Sequence, residues 1–484
     1  MTLSIYNTLT RRQEEFKTVE PGKVKMYYCG VTVYDYCHLG HARACIVWDV
    51  VRRYLQFIGY DVRYIQNFTD VDDKILNRAR QEKSTMEAVS ERYIQAYFED
   101  MARLGIKEAD EYPRATHTMN GIQRLIHDLE QKGFAYPSQG DVYYAVRKFD
   151  GYGKLSGRKL EDLQAGASER VNVEDAEYQK KKDPFDFALW KAAKPSEPAW
   201  ESPWGKGRPG WHIECSAMVR DRLGDTIDIH AGGADLIFPH HENEIAQSEA
   251  VTGKPLANYW LHNGMVKVDG EKMSKSLGNF TTIRDLLDRG VEPMALRLFV
   301  LMAQYRKPID FTDEAILAAT NGWNTLKEGL LFGYQYGKKL GWENLELNQN
   351  NVDKSEVDKF TTLVDDDFNF PGGLAVIFEL AKELRKEGNI IVHQGKTETS
   401  SNELFKQWQT LVTLAEVLGL TAQPEIETSQ IDGLSDAEIE ELIQQRQEAR
   451  KAKNFAESDR IRDELLAKGI TLIDSKEGTR WHHS

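Results

Sequence analysis

The sequence predicts an α/β protein built on a Rossmann-like parallel sheet, with helical domains after it. Residues 26–34 are rich in β-branched and aromatic side chains, which predicts a strand. Residues 41–58 have apolar side chains at helical spacing, Gly59 stands where a helix C-cap is wanted, and residues 61–68 predict a second strand. A strand, a helix and a strand in this order form a β-α-β unit, from which parallel sheets are built.

The next part of the chain interrupts and then resumes this sheet. Residues 121–210 are irregular, with one predicted strand at 142–146, a lysine run and a stretch rich in Pro, Trp and Gly. This pattern indicates an insertion between two halves of the sheet. Strand patterns return at 226–230 and 259–268.

Beyond residue 310 the sequence becomes helical. Polar breaks occur at 348–354 and 396–402, and a linker is predicted at 421–432. Ser435 and Glu438 then form a capping-box pattern that opens a charged helix. A second helix ends at Lys468-Gly469, and a short tail closes the chain.

Composition and charge narrow the class of protein. With 484 residues, 41% hydrophobic and 29% charged, the chain predicts a globular protein of several domains. A polar N-terminus and the lack of an apolar run of about 20 residues predict neither a signal peptide nor a membrane span. Four cysteines are too few for a disulfide framework, so we expect a cytoplasmic protein whose thiols are available for metal.

A net charge of −14 argues against a general nucleic-acid binder. This net charge is compatible with a nucleic-acid enzyme that has a local strip of basic residues, but the sequence alone cannot locate such a strip.

Two distant motifs indicate a nucleotide site. In His38-Leu39-Gly40-His41, imidazoles meet a predicted helix start, where free N–H groups and the helix dipole favour phosphate. The absence of a Cβ at Gly40 lets a ligand approach the backbone. In the polar loop Lys272-Met273-Ser274-Lys275-Ser276, two lysines could stabilise a pyrophosphate leaving group. Alone, the first motif could be an ordinary turn and the second a solvated loop; their pairing favours a nucleotide triphosphate.

A second set of residues has the chemistry of a metal site. His240 and Glu244 are spaced i, i+4, and Pro239 suits a first helical turn, so both side chains would share one helix face. With Cys29 and Cys215 they are ligands that zinc accepts. Spacing alone leaves open that two buried cysteines and a polar helix start are unrelated.

Several segments resemble known families. HLGH and KMSKS resemble the two signatures of class I aminoacyl-tRNA synthetases, and residues 233–240 (GADLIFPH) resemble the G-x-D-x-x-x-x-H element of that class. The segments CGVTVYD at Cys29, GWHIECSAM at Cys215 and FPHHENE at His240 resemble cysteinyl-tRNA synthetases, and the likeness covers nearly the full length.

The resemblance implies residue roles. Catalysis would fall to His38, His41, Lys272 and Lys275. ATP would be bound by His38, Gly40, His41, Gly233, Asp235, Lys272, Ser274 and Lys275. The cysteine pocket would comprise Cys29, Gly30, Thr69, Trp211 and His240. One zinc would be held by Cys29, Cys215, His240 and Glu244.

The resemblance also implies an activity. The chain would activate L-cysteine with ATP and Mg²⁺, then transfer cysteine to tRNA(Cys) as a monomer, away from membranes. Zinc would select the substrate thiolate over serine, with no editing domain. The implied domains are a Rossmann-like catalytic domain (1–120 and 206–265), a connective insertion (121–205), the KMSKS and stem-contact region (266–320), a helical bundle (321–425) and an anticodon-binding domain (430–484).

Alternatives remain open at this point. His212, His241 or Glu242 could replace a ligand, whereas Cys37 and Cys45 are most simply packing residues. A cysteine ligase with a small amine acceptor, as in mycothiol biosynthesis, would use the same adenylate. Those relatives look shorter at the C-terminus, while residues 435–481 resemble an anticodon-binding end, which favours tRNA. A non-catalytic zinc and nucleotide regulator is disfavoured, because both signature motifs are intact. The basic residues of the C-terminal segment include Arg446, Arg450, Lys451, Lys453 and Arg480.

Overall fold

The computed structural model describes most of the chain in two compact units. The described residues are 2–162, 178–195, 197–273, 279–347, 351–424, 436–468, 470–475 and 478–483. The first unit comprises residues 1–324, 354–377 and 414–420, and the second comprises 325–353, 378–413 and 421–484.

The strands are β1 (Ser4–Asn7), β2 (Arg12–Glu15), β3 (Lys23–Thr32), β4 (Asp61–Thr69), β5 (Ala135–Ser138), β6 (Asp141–Tyr144), β7 (Phe187–Ala192), β8 (Gly207–Pro209), β9 (Ile227–Gly233), β10 (Ala257–Asn263), β11 (Val266–Val268), β12 (Glu271–Lys272), β13 (Ile309–Phe311), β14 (Ile470–Ser475) and β15 (Gly478–His483).

The helices are α1 (Leu39–Phe57), α2 (Asp73–Glu82), α3 (Met86–Arg103), α4 (Met119–Gln131), α5 (Trp211–Leu223), α6 (Glu242–Thr252), α7 (Ile283–Asp288), α8 (Pro293–Leu301), α9 (Asp313–Tyr336), α10 (Lys354–Val364), α11 (Phe370–Gln394), α12 (Ser401–Val417), α13 (Asp436–Lys451) and α14 (Phe455–Ala467). In the described part of the chain, none of them has the length and apolar character that crossing a membrane requires.

A four-stranded parallel sheet organises the first unit. Its strand order is β10-β9-β3-β4, and all three neighbouring pairs run parallel. The predicted β-α-β unit is confirmed as β3, α1 and β4, and Gly59 follows α1 with a φ of 101°. The chain leaves β3 for β4 on one side and returns as β9 on the other. The carboxyl ends of β3 and β9 therefore form a topological switch point, where open α/β sheets bind ligands.

The predicted strand at 259–268 is wrong as a single element. Strand β10 belongs to the parallel sheet, whereas β11 joins a separate sheet of order β12-β11-β13. The chain changes sheets at Gly264, where a Cβ would lie 2.3 Å from the carbonyl oxygen of Lys307. This backbone approach turns the chain out of the first sheet, and a strand pattern in sequence does not reveal it.

The insertion is more regular than its sequence indicates. Strands β5 to β8 form an antiparallel sheet in sequence order, of which only the strand at 142–146 was predicted, and that strand is observed as β6. The other three strands are short and are separated by irregular loops, so their patterns are weak.

The C-terminal part of the second unit forms a small core of its own. Helices α13 and α14 pack with β14, which pairs with β15 in an antiparallel hairpin. The predicted short tail is therefore a hairpin. Ser435 of the predicted capping box lies outside the described residues. The buried apolar side chains of this core are Ile439, Ile443, Ile461, Leu465 and Ile470.

A buried ion cluster holds helix α1 in the first unit. Asp49 on α1 is 2% exposed and accepts a hydrogen bond of 2.8 Å from Arg53. Arg297 of α8 donates to the same carboxylate oxygen and also to the carbonyl oxygens of Leu104 and Leu418. One carboxylate thus compensates two buried guanidinium groups.

We expect Asp49→Ala to destabilise the first unit strongly, because it leaves two buried cations without their anion. Breaking a buried ion pair costs roughly 3–5 kcal/mol. Urea denaturation of the variant measures this loss. Glu20→Ala is the matched control, because its partner Lys23 and Glu20 itself are both more than half exposed. Similar losses in both variants would contradict this account of Asp49.

Candidate metal and nucleotide site

A bulge at the carboxyl end of β3 positions Cys29. The register of β3 against β4 shifts between Tyr28 and Val31, so Cys29 and Gly30 lie at the irregularity. The N–H of Gly30 donates to Oδ1 of Asn67 at 2.9 Å. A Cβ at Gly30 would lie 1.9 Å from the Asn67 carbonyl oxygen. Only glycine allows this approach, and the bulge redirects the strand at the thiol.

Four segments bring the predicted metal ligands together. Cys29, Cys215, His240 and Glu244 are buried, and their ligand atoms all lie within 4.8 Å of one another. The Cys29 thiol lies 3.6 Å from Cys215 Sγ and 3.3 Å from Glu244 Oε1. His240 Nε2 lies 3.1 Å from the same carboxylate oxygen. Donors around a tetrahedral zinc are about 3.3–3.8 Å apart, given bonds of about 2.0–2.3 Å. The residues therefore fit such an ion.

His240 reaches this group from an unexpected backbone. The expectation that Pro239 occupies the first turn of the helix is wrong: the Phe238–Pro239 peptide is cis, and His240 lies in a π-helical turn (Ile237–His241) that precedes α6. Phe238 has extended φ and ψ, which breaks the helix there. His240 and Glu244 still meet, as their spacing predicted.

Charge within the cluster is arranged around Glu244. Burial raises the pKa of the Glu244 carboxyl, but His230 and His240 lower it well below its usual range. Burial lowers the pKa of His240, yet Glu244 and Cys215 raise it to about 9. A hydrogen bond from Cys29 lowers the pKa of Cys215 to about 6, despite burial. These shifts favour negative charge on Cys215 and Glu244, whereas burial raises the pKa of the Cys29 thiol. Metal ligands must be deprotonated, so a bound cation would displace the protons of Cys29 and His240.

The alternative ligands separate into three cases. His241 belongs to a second possible group with Cys29, His230 and Glu244. His212 instead contacts His240, with 3.0 Å between their Nδ1 atoms, so it is placed to orient that imidazole. Glu242 accepts hydrogen bonds from backbone N–H groups of the insertion and belongs to neither group.

Sequence reasoning missed His230. Its Nε2 lies 2.9 Å from Glu244 Oε2, and it is fully buried in the middle of β9. The available signal was a histidine inside a strand that ends at the switch point. His262 was missed as well; it lies 2.8 Å from His241 and extends the histidine cluster.

The predicted cysteine-pocket residues surround the same place. Trp211 begins α5 and stacks on the His240 ring at 4.0 Å between centroids. Thr69 ends β4 and donates to the buried Glu214 carboxyl at 2.9 Å. Cys37 and Cys45 are buried and belong to neither possible metal group in the described chain, as expected of packing residues.

The HLGH turn caps helix α1 and fixes the proton positions of its histidines. Nδ1 of His38 accepts the N–H of Gly40 at 3.0 Å, and Nδ1 of His41 accepts the N–H of His38 at 3.3 Å. A ring nitrogen that accepts a hydrogen bond carries no proton, so the Nδ1 of each ring is an acceptor from the backbone. Burial, His38 and Lys74 lower the pKa of His41 well below its usual range, so this imidazole is neutral and carries its proton on Nε2.

The other predicted nucleotide residues are placed in part. Gly233 ends β9, and the exposed Asp235 follows in a 3₁₀ turn. The Asp235 carboxylate lies so close to Gly233 that a Cβ there would clash with it. Lys272 lies in β12, but its side chain and all of Ser274 and Lys275 lie outside the described residues.

Both ends of the KMSKS loop are tied to the HLGH segment. After the loop, Ile283 donates to the Cys37 carbonyl at 3.0 Å and Leu39 donates to Thr281 at 3.3 Å. At the start of the loop, Met273 Cε would lie 3.8 Å from a Cβ at Gly40. The loop therefore begins and ends beside the start of α1.

Arg43 of α1 makes a further tie that sequence reasoning missed. Its guanidinium is fully buried and donates to the carbonyl oxygens of Met265, Tyr305 and Lys307. Met265 precedes β11, and Tyr305 and Lys307 precede β13. One side chain therefore holds the residues that lead into both strands. Strands β11 and β12 form the hairpin that leads into the KMSKS loop, here called the KMSKS hairpin.

Family models match this chain over most of its length. The model described as "tRNA synthetases class I (C) catalytic domain" matches residues 15–321, more than half of the chain. A DALR domain matches residues 359–423, and a "Cysteinyl-tRNA ligase anticodon binding domain" matches residues 432–481. The chain belongs to the cysteine–tRNA ligase family. It is therefore an aminoacyl-tRNA ligase with the class I synthetase fold.

Curated relatives agree over the full length. The chain is 72% identical to a cysteine–tRNA ligase of Gloeothece citriformis and 71% identical to one of Rippkaea orientalis, each over 100% of both chains.

Solved structures share the fold at low identity. A Mycobacterium tuberculosis methionyl-tRNA synthetase in complex with methionyl-adenylate has a TM-score of 0.56 at 15% identity, covering 82% of this chain and 90% of that one. An Agrobacterium radiobacter leucyl-tRNA synthetase complex has a TM-score of 0.58 at 12% identity, covering 84% and 85%.

We expect Arg43→Lys to slow adenylate formation selectively. A single ammonium cannot replace a planar fork that reaches three carbonyls, so the KMSKS hairpin should lose its alignment. Misplacement by about 1 Å can cost on the order of 100-fold in rate, and we expect kcat for cysteine-dependent pyrophosphate exchange into ATP to fall at least ~10-fold. The KM for cysteine should stay unchanged.

Arg297→Lys is the matched control for this prediction. Arg297 is also fully buried and also donates to carbonyl oxygens, but these belong to Leu104 and Leu418 and not to the residues that precede β11 and β13. Because Arg297 also pairs with Asp49 on α1, the variant should lose thermal stability, and its kcat should fall less than that of Arg43→Lys. Equal kinetic losses in both variants would mean that Arg43 acts only through stability.

Proposed function

We propose that this chain activates L-cysteine with ATP, forming cysteinyl-adenylate and pyrophosphate, and then transfers cysteine to tRNA(Cys). One observation carries the proposal. Four buried metal donors meet around Cys29, near the carboxyl end of β3, and the turn that follows β3 caps α1 with two histidines. A thiol-recognising centre and a phosphate-recognising helix start are thereby joined by one strand and its loop.

We assign Cys29, Cys215, His240 and Glu244 as zinc ligands, because the donor types and spacing suit zinc. A zinc ion held there would supply a soft Lewis acid that favours the thiolate of cysteine over the neutral hydroxyl of serine. A pocket that measured only size would separate the two substrates by a few kcal/mol at most. Selection of this kind makes an editing domain unnecessary.

The cysteine pocket is assigned to Cys29, Gly30, Thr69, Trp211 and His240. Trp211 covers His240 and holds its ring in place, while Nδ1 of His212 lies 3.0 Å from Nδ1 of that ring. Thr69 lies at the end of the neighbouring strand β4 and is held there by its hydrogen bond to the Glu214 carboxyl.

In the activation step the substrate carboxylate attacks the α-phosphorus and pyrophosphate leaves. The carboxylate is already ionised, so no general base is required. The Nε2–H groups of His38 and His41 would donate to phosphate oxygens beside the positive end of α1. Gly40 leaves the backbone open to the nucleotide.

The remaining groups would bind the ends of the nucleotide. Gly233 and Asp235 would meet the ribose or the aminoacyl end of the adenylate. Lys272, Ser274 and Lys275 would stabilise charge on the leaving pyrophosphate, with ATP entering as its Mg²⁺ complex.

The tRNA acceptor is favoured over a small amine. The C-terminal segment matches an anticodon-binding model, and the relatives match to their full lengths. We further propose that 121–205 is a connective insertion and that region 266–320 carries the KMSKS loop and contacts the tRNA stem. In the same proposal, 321–425 forms the helical bundle and 430–484 meets the anticodon. We propose a cytoplasmic monomer; all four cysteines are free thiols.

We expect Cys29→Ala combined with Cys215→Ala to abolish bound zinc and cysteine-dependent pyrophosphate exchange. The variant loses both thiolate donors, so the selective centre is gone. Zinc content by atomic absorption and exchange rates with cysteine and serine measure this. Cys37→Ala with Cys45→Ala is the matched control and should keep zinc. Exchange that persists unchanged in the first variant would refute the zinc assignment.

Truncation after Asp432 should separate the two half-reactions. The catalytic unit keeps its own sheet and site, so pyrophosphate exchange should persist. Charging of tRNA should fall at least ~100-fold, because anticodon contacts are lost. Undiminished charging would show that the C-terminal segment does not serve tRNA.

A further inference from the structure

A buried carboxylate beside the metal donors lacks a cationic partner. Glu214 lies in the first turn of α5 and is 1% exposed. Among the described residues it forms no ion pair, and its carboxylate accepts one hydrogen bond, from the hydroxyl of Thr69 to Oε2 at 2.9 Å. Its other oxygen, Oε1, accepts no hydrogen bond from these residues. Burial of a carboxylate in this state is costly, and a partner of opposite charge would compensate it.

The groups around Glu214 do not supply that charge. Burial, and then the acidic groups of three neighbours, raise the pKa of the Glu214 carboxyl well above its usual range, and the hydrogen bond from Thr69 offsets this only in part. The three neighbours are Cys215, Asp72 and Asp70. A zinc ion at the proposed donors would not compensate Glu214 either, because the two thiolates and one carboxylate that hold it already exceed its charge. The missing cation would therefore arrive with a ligand.

The hydrogen bond to Glu214 fixes what the Thr69 hydroxyl can offer a ligand. Thr69 is the last residue of β4, at the carboxyl edge of the parallel sheet, and it is 2% exposed. A hydroxyl has one proton and two lone pairs. Because Thr69 gives its proton to Glu214, its oxygen can only accept a hydrogen bond from a ligand. The pair of Thr69 and Glu214 therefore favours a ligand group that donates a hydrogen bond and carries positive charge.

The first turn of α5 brings this pair to the proposed cysteine pocket. Trp211, Glu214 and Cys215 are spaced i, i+3 and i+4, so their side chains lie on one face of the helix. Trp211 stacks on the His240 ring, and Cys215 Sγ lies 3.6 Å from Cys29 Sγ. The buried carboxylate thus shares a helix face with a pocket residue and a metal donor.

We propose that Glu214, acting through Thr69, binds the α-ammonium group of the substrate cysteine. The inference rests on the proposed function, which brings cysteine to this pocket. The thiolate of cysteine faces the metal donors, its carboxylate faces the HLGH turn, and its ammonium donates to Thr69. Glu214 is a positioning residue, because it orients the Thr69 hydroxyl and supplies the opposite charge. Three separate attachment points fix the handedness of the α-carbon, so the pair also favours the L-isomer.

The variant Glu214→Gln tests this role, because glutamine keeps the size of the side chain and removes its charge. The probes are cysteine and 3-mercaptopropionate, which is cysteine without its amino group. The KM for cysteine in pyrophosphate exchange should rise at least ~10-fold, because a hydrogen bond to a charged group loses its compensating anion. The inhibition constant of 3-mercaptopropionate and the zinc content should both stay unchanged. A merely structural role would weaken the binding of both thiols alike.

Two variants of Thr69 test the hydroxyl independently of the carboxylate. Thr69→Val removes the acceptor at nearly constant shape and should reproduce the selective loss of cysteine binding. Thr69→Ser keeps the hydroxyl and should retain the preference for cysteine over 3-mercaptopropionate. This pair decides the proposal even where Glu214→Gln does not fold.

Asp228→Asn is the matched control. Asp228 is also a buried carboxylate of the first unit, but it lies near the amino end of β9 and accepts the N–H groups of Val19 and Lys25. This variant should lose stability and keep the wild-type preference for cysteine over 3-mercaptopropionate. An unchanged preference in Glu214→Gln or Thr69→Val, or an equal change in Asp228→Asn, would overturn the proposal. Absence of cysteine-dependent exchange in the wild-type chain would instead refute the proposed function.

Discussion

The buried carboxylate of Glu244 is the interaction on which the candidate site depends. It is fully buried, and such a charge is tolerated only when partners compensate it. His230, His240 and the Cys29 thiol all lie within 3.3 Å of its oxygens. These partners come from β9, from the π-turn and from β3. One carboxylate therefore holds three separate segments in register, and it does so where two parallel strands diverge.

The nucleotide half of the site depends on a helix cap. The reciprocal bonds between His38 and His41 satisfy free N–H groups at the start of α1 and turn the Nδ1 atom of each ring toward the backbone. The same helix carries Arg43, which holds the base of the KMSKS hairpin. Helix α1 thus presents one signature motif and supports the other, so that its position sets the geometry of phosphate binding.

Charge is distributed unevenly over this acidic chain. Inside the first unit, buried charged residues form ion pairs that stabilise the fold, such as those of Asp49 with Arg53 and Arg297. A pocket lined by Arg11 and by residues 147–161 instead exposes three cations, Arg11, Arg158 and Lys159, that form no ion pair within the described residues. Electrostatic attraction of RNA requires a local field, and a net charge of −14 does not prevent it.

The sequence alone determined the β-α-β unit and the two signature motifs, because helical spacing and a capping turn are set by neighbouring residues. The four proposed metal donors were chosen through the resemblance of their segments to a known family, since spacing linked only His240 with Glu244. The sequence also predicted that Cys37 and Cys45 are packing residues, which agrees with their burial.

Only the tertiary structure decided which distant groups meet. His230 and Arg43 act through partners that are more than ten residues away, and nothing in their own neighbourhoods announces those partners. The bulge at Gly30 and the change of sheet at Gly264 both arise from a carbonyl of another segment approaching a residue without a Cβ. The basic pocket likewise joins Arg11 to a loop almost 150 residues later. Such contacts depend on how the segments pack, and packing is a property of the whole chain rather than of any local pattern.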